Sequence, residues 1–180
     1  LPLRSSMDDG LDDLAASLRD ADAATAFTGA GVSAPSGVPT FRGKDGIWGA
    51  RFDPADFKYD RFRADPAGFW VDRLELREAL NVGTVDPNPA HQALADLERA
   101  EVLDGVVTQN TDGLHQAAGS ERVVELHGNG GRVVCTSCDQ RQAAAPIVER
   151  VRDGERPPTC EQCGGLLKPD VTLFGESLPR

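Results

Sequence analysis

The sequence predicts an α/β fold: a doubly wound, parallel, Rossmann-like sheet with an inserted four-cysteine zinc-ribbon module and a small helical module. Three observations predict it. Short apolar runs alternate with amphipathic helical stretches, the pattern of parallel strands joined by helical crossovers. Polar, glycine-containing blocks fall where those runs end, and ligands of such sheets bind beyond the carboxyl ends of the strands. Two Cys-x-x-Cys pairs, Cys135/Cys138 and Cys160/Cys163, stand 21 residues apart, which suits two knuckles sharing one ion.

Taken in order, Leu11, Leu14, Ala15 and Leu18 recur at helical spacing after an acidic first turn, predicting an amphipathic helix over 8–19. Met7 is the expected natural start, with residues 1–6 as an extension. A buried strand over 23–27 then leads into Thr28-Gly29-Ala30-Gly31-Val32-Ser33, where glycines and small residues let the backbone approach an anionic ligand closely. Residues 46–80 interleave seven aromatics with Asp and Arg. They predict short helices and loops over the Gly-rich turn, with most of the aromatics in the core. Asn88-Pro89 reads as an N-cap followed by proline at the first helical position. The helix predicted over 90–100 sets Ala90, Leu94 and Leu97 on one face. Gly105 separates it from a strand over 106–108, whose end carries Gln109, Asn110 and Asp112. A further strand over 123–126 delivers His127.

At 180 residues the chain is one domain by length, and its formal net charge is −10. Only Lys44, Lys58 and Lys168 accompany the arginines, a balance that suggests a salt-adapted or GC-biased source. An acidic surface argues against binding a phosphate backbone as the main task, so no direct nucleic-acid partner is expected. No run approaches membrane-spanning length and no signal peptide is visible, which points to a cytoplasmic protein without a membrane partner. In such a compartment paired cysteines favour metal over disulfides. Cys135, Cys138, Cys160 and Cys163 would close a tetrahedral sphere and leave no position for water, so the zinc is expected to be structural. Gly164-Gly165 suits a tight knuckle turn. The intervening loop is mixed in sign, unlike a nucleic-acid-binding ribbon.

The chemistry-bearing groups fit cleavage of an amide with a dinucleotide as co-substrate. Gly29, Ala30, Gly31 and Ser33 can cradle a pyrophosphate. Asn110 and Asp112 offer the donor and acceptor a carboxamide needs, and Gln109 can reach a ribose. His127 sits at a strand end, and imidazole as a side-chain type suits a general base near neutrality. His91 and His115 read as structural.

In order, the Gly-rich run through Phe41-Arg42, Thr108-Gln109-Asn110-Thr111-Asp112-Gly113, Glu125-Leu126-His127-Gly128, the two cysteine pairs and Pro169-Asp170-Val171-Thr172-Leu173-Phe174-Gly175-Glu176 resemble the signature blocks of the sirtuins, NAD-dependent protein deacylases. The resemblance runs from about residue 11 to 179. It implies that the acyl oxygen of a modified lysine attacks the nicotinamide ribose, that nicotinamide leaves, and that His127 activates a ribose hydroxyl so that the acyl group passes to ADP-ribose. Asn110 joins His127 as a catalytic residue. Ala30, Phe41, Arg42, Gln109, Asn110 and Asp112 line the NAD pocket, and the segment holding Val171, Phe174, Gly175 and Glu176 pairs with the acyl-lysine peptide as an added strand.

A catalytic domain over 7–180 is then expected. Its Rossmann-like part comprises 8–45, 81–130 and 168–180, its helical and cofactor-loop module 46–80, and its zinc module 131–167. Thr111 departs from the isoleucine usual in the family. Sirtuins also continue past the segment matching Phe174-Gly175-Glu176, with a Gly-Ser-Ser turn and contacts to the adenosine ribose that do not occur in this sequence. Family members that remove acidic acyl groups carry a Tyr-x-x-Arg pair where this chain has Arg73 and Leu76, which favours a neutral acyl group. Two other readings are mono-ADP-ribosyl transfer and a non-catalytic zinc-bearing fragment.

Overall fold

The computed structural model describes residues 6–43, 46–49 and 51–178. Most of the expected leader, residues 1–5, lies outside them. Helix α1 spans Ser6–Asp20, and strand β1 spans Thr25–Thr28. A short helix α2, Ala30–Ser33, follows the Gly-rich turn. Next come α3, Tyr59–Ala64, and α4, Pro66–Ala79, the latter capped by the Asp65 carboxylate, which accepts the Gly68 amide at 2.9 Å. Then follow α5, Pro89–Arg99; β2, Gly105–Thr108; α6, Leu114–Ala117; and β3, Val123–Glu125. The remainder is β4, Gly128–Cys135; β5, Arg141–Ala143; α7, Ala144–Arg152; and β6, Leu167–Val171. Among the described residues no helix is long and apolar enough to cross a membrane.

Two three-stranded sheets result. Strands β1, β2 and β3 run parallel in that order, with Thr28 opposite Thr108 and Thr108 opposite Glu125. This register lines up the strands' carboxyl ends, so Gly29, Gln109 and the approach to His127 emerge along one edge. The second sheet, β5-β4-β6, is antiparallel. Residues 168–180, expected in the Rossmann-like part, therefore contribute their strand to the sheet that carries the cysteines. Gly128 joins the two sheets at φ 77°, and a Cβ there would strike the backbone of Asp170.

The main core lies between the helical module and the antiparallel sheet. Phe57, Phe62, Phe69, Trp70 and Leu76 pack against Val133, Ile147, Val151, Leu167 and Leu173. Trp70 donates its indole N–H to the Leu167 carbonyl at 2.9 Å, which satisfies its one polar atom inside that core.

Three local expectations change. The strand expected to be buried over 23–27 leaves Phe27 64% exposed, because alternate side chains point to opposite faces and the Phe27 face has no cover among the described residues. Leu11 and Leu14 of α1 are also exposed, because that face of the helix packs against none of the described residues. On α5 the buried stripe is His91, Ala95 and Glu98, whereas Ala90 is exposed. Glu98 turns inward because its carboxylate accepts the amides of Glu121 and Arg122, at 3.2 and 2.6 Å.

Candidate active site and metal site

A cavity of about 600 Å³ opens beyond the carboxyl ends of β1 and β2. Of the residues singled out from the sequence, Ala30, Gly31, Phe41, Arg42, Gln109, Asn110, His127, Val171, Phe174, Gly175 and Glu176 line it. Gly29, Ser33 and Asp112 do not. They stand behind the wall.

Ser33 is fully buried and serves as a hub. His91 Nδ1 accepts the Asn88 amide at 3.3 Å, so the ring proton lies on Nε2, which donates to Ser33 Oγ at 3.3 Å. Asn110 Nδ2 donates to the same oxygen at 3.0 Å and to the Gly29 carbonyl at 3.1 Å. The Ser33 hydroxyl in turn donates a hydrogen bond to Asp112 Oδ2 at 2.7 Å, and Asp112 Oδ1 accepts the Leu114 amide at 3.0 Å. Both Asp112 oxygens are therefore engaged within the protein. Asn110 has both amide hydrogens spoken for, which leaves Oδ1 as the group it presents to the cavity.

His127 follows β3 and is half-buried. Its Nδ1 lies 3.0 Å from the Gln109 carbonyl, which can only accept. That contact makes Nδ1 the donor and leaves Nε2 without a protein partner on a residue that lines the cavity. His115 is unlike it: buried, with Nε2 2.8 Å from Thr28 Oγ1 and its ring edge-on to His91 at 4.9 Å. Burial lowers the pKa of both His91 and His115, with Asp112 opposing the shift, so both are neutral at pH 7.

The opposite wall is aromatic. Phe41 stacks on Trp48 at 5.6 Å, and Trp48 meets Phe57 and Phe174 at 5.4 and 5.8 Å. Phe174 is held by backbone bonds to Phe57 and Tyr59. The Glu176 carboxylate accepts the Leu173 amide at 2.7 Å and Lys168 Nζ at 3.0 Å, so it closes its own turn rather than projecting free. Trp48, Phe57 and Leu80 line the cavity without having been singled out from the sequence, since an aromatic or apolar side chain in an apolar stretch carries no local mark that separates wall from core.

The four cysteine sulfurs lie within 4.8 Å of one another, with Cys135–Cys163 at 3.5 Å and Cys138–Cys160 at 3.9 Å. Zinc–thiolate bonds of about 2.3 Å in a tetrahedron set sulfurs roughly 3.8 Å apart, so the donor set fits that ion. The Ser137 amide donates to Cys135 Sγ at 3.4 Å and is the leading cause that brings this thiol's pKa down to about 7. A Cβ on Gly165 would come within 2.9 Å of Cys135 Sγ and press on Ser137, which is why glycine closes the second knuckle.

A parallel sheet with a largely apolar cavity at its strand ends, edged by a few polar groups and joined to a four-cysteine metal module, defines an α/β ligand-binding domain with a structural metal site. The comparison with known proteins narrows this class: the model of the Sir2 family matches residues 29–180, and the chain belongs to that family. An NAD-dependent protein deacetylase of Haloarcula marismortui is 57% identical over 172 residues, covering 94% of this chain and 65% of the relative. An NAD-dependent protein deacylase 2 of Archaeoglobus fulgidus is 43% identical, covering 97% and 68%. A solved Sir2 complex with deacetylated p53 peptide and 3'-O-acetyl ADP ribose superposes with a TM-score of 0.82 at 33% identity, over 94% of this chain and 67% of that one. The chain thus spans about two thirds of the length of these relatives.

Proposed function

We propose that this chain carries the main part of an NAD-dependent protein lysine deacylase that transfers the acyl group of an acyl-lysine peptide to ADP-ribose. The observation that carries the proposal is His127, held by the Gln109 carbonyl as an Nδ1–H tautomer with Nε2 free on the wall that Asn110 shares. NAD, as co-substrate, would supply the nicotinamide ribose on which acyl transfer occurs.

The residues present suit it. A Cβ on Gly31 would meet no protein atom and its φ is not left-handed, so neither packing nor backbone demands glycine there; the room is left to a ligand. Asn110 Oδ1, oriented through Ser33 and Gly29, receives a carboxamide N–H. Exposed Arg42 at the cavity rim suits a pyrophosphate. His127 Nε2 takes a proton from a sugar hydroxyl, and its Nδ1–H bond to Gln109 keeps the ring in place as it becomes charged. Phe41, Trp48 and Phe57 exclude water around the reacting atoms. The segment holding Val171, Phe174, Gly175 and Glu176 supports an extended peptide along the cavity. Zinc on Cys135, Cys138, Cys160 and Cys163 would have a structural role, and a cytoplasmic location suits four unpaired thiols.

Mass spectrometry of an acetyl-lysine peptide incubated with zinc-loaded protein, with and without NAD, tests the reading. NAD-dependent deacetylation with release of nicotinamide, absent in His127→Ala, is the expected result. Attachment of ADP-ribose to protein would favour mono-ADP-ribosyl transfer, and no turnover from a folded, metal-bound chain would favour a non-catalytic fragment.

A further inference from the structure

His127 follows the parallel sheet, whereas Val171, where the peptide segment begins, belongs to the antiparallel one. Acyl transfer between them depends on how firmly the two sheets are joined. The joint is short. On the parallel side the Leu126 amide donates to the Thr108 carbonyl at 2.9 Å, and across the joint the Thr172 amide donates to the His127 carbonyl at 2.9 Å. After Gly128, which pairs with Val171, the β4–β6 ladder loses its register until Val133 meets Pro169. Five steps along β4 there face two along β6, so an even ladder does not hold this stretch.

Side chains span it instead. Arg132, inside the irregular stretch, donates from Nη2 to Glu125 Oε2 at 2.7 Å and from Nε to Asp170 Oδ2 at 2.9 Å. Glu125 ends β3, two residues before His127, and Asp170 stands on β6, one residue before Val171. One guanidinium therefore grips both strands. Each carboxylate is only 12% exposed, so salt screens these pairs less than it does surface ones. Each is also anchored from elsewhere. Gln116 Nε2 of α6 donates to Glu125 Oε1 at 2.8 Å, and Arg141 Nε of β5 donates to Asp170 Oδ2 at 3.2 Å. A planar fork whose two nitrogens serve two anchored carboxylates fixes an angle as well as a distance.

We infer that Arg132 is a positioning residue for acyl transfer, setting the His127 ring against the peptide segment by clamping Glu125 and Asp170 together. The inference rests on the deacylase reading and deepens it. Arg132 does not line the main cavity; it acts through the backbone that carries His127 and Val171. Gly31, Arg42 and Asn110, the groups assigned to NAD, precede Glu125 in the chain and lie outside β4–β6. NAD binding is therefore independent of the clamp.

The test reads the joint and the reaction separately, in zinc-loaded protein. Hydrogen exchange reads the joint: Arg132→Gln should speed exchange of the Thr172 amide while β1 and β2 keep their protection. NAD-dependent turnover of an acetyl-lysine peptide should fall about 10- to 100-fold in kcat, with the Kd for NAD unchanged by calorimetry. Arg132→Lys keeps the charge without the fork and should recover part of that loss. In a Glu125→Gln/Asp170→Asn background, adding Arg132→Gln should cost nothing more, because no clamp remains to break. If Arg132→Gln fails to fold, Glu125→Gln and Asp170→Asn each cut one arm and should each show part of the effect. Unchanged exchange at Thr172, or a kcat equal to that of an active wild type, overturns the role of Arg132. So do parallel losses of kcat, NAD affinity and protection in both sheets, which would mark a general structural part. Faster exchange at Thr172 in a protein whose wild type does not deacetylate the peptide supports the clamp and counts against the deacylase reading alone.

Discussion

Ser33 contacts no cavity space, yet three site residues depend on its hydroxyl: His91, Asn110 and Asp112. Its place in the Gly-rich run suggested a direct ligand contact. The structure makes it the post that aims Asn110. Replacing Ser33 with Ala leaves buried His91 and Asn110 and partly buried Asp112 each short of one partner and should cost about 1–3 kcal/mol, read as a lower melting temperature together with a higher KM for NAD. His127 makes the opposite case. Its side chain has one protein hydrogen bond, so His127→Ala should leave metal content and melting temperature almost unchanged while turnover falls roughly 10²- to 10⁴-fold. A large loss of melting temperature in that variant would recast His127 as a structural residue.

At the scale of elements, the N-cap of α5 was readable from Asn88-Pro89, and the structure adds a full capping box in which His91 reaches back to the Asn88 amide. That puts the His91 ring against His115 of α6, in a buried contact with a defined pH signature. Both pKa values are lowered in the folded state, chiefly by burial, whereas unfolded histidines titrate near about 6.5. Below that value the unfolded chain binds more protons than the folded one, so stability holds above about pH 6.5 and falls as pH drops toward the depressed folded values. Melting curves from pH 7.5 to 5.5 should show this decline, with a shallower slope in a His91→Gln/His115→Gln variant. An unchanged slope would assign the decline to other groups. The two cysteine knuckles make an element-scale unit as well. Cys135 and Cys160 belong to the main core, so stripping zinc with a chelator, or the Cys160→Ser change, should disorder β4–β6 and the packing of α7 along with the knuckles. Loss of near-ultraviolet Trp signal in step with zinc release would show it, since Trp70 donates to the Leu167 carbonyl of β6.

For the molecule as a whole, a net charge of −10 on 180 residues means self-repulsion that salt screens. The screening length shrinks from about 10 Å at 0.1 M to about 3 Å at 1 M, so the melting temperature should rise with sodium chloride over that range. A flat response would show that the surface ion pairs, such as Arg99–Asp96 at 2.5 Å, offset the excess locally. The same scale explains the open sheet face: Phe27, Val107 and Val124 align across β1, β2 and β3, and Phe27 and Val124 are 64% and 56% exposed.

Features written in short-range patterns were legible from the chain alone: the cysteine knuckles, the α5 cap, the parallel strands, and the polar blocks at their ends that bring Asn110 and His127 to one cavity. Each depends on residues a few positions apart or on the chemistry of one side chain, so spacing suffices to read them. Burial did not follow from spacing. That Ser33 and Asp112 stand behind the wall, that Ala90 faces out while Glu98 faces in, that β6 joins β4, and that Arg73 is buried on the cavity wall were decided by contacts between residues far apart in the chain. Those contacts set which side of an element meets protein and which meets open space, and no local pattern encodes that choice.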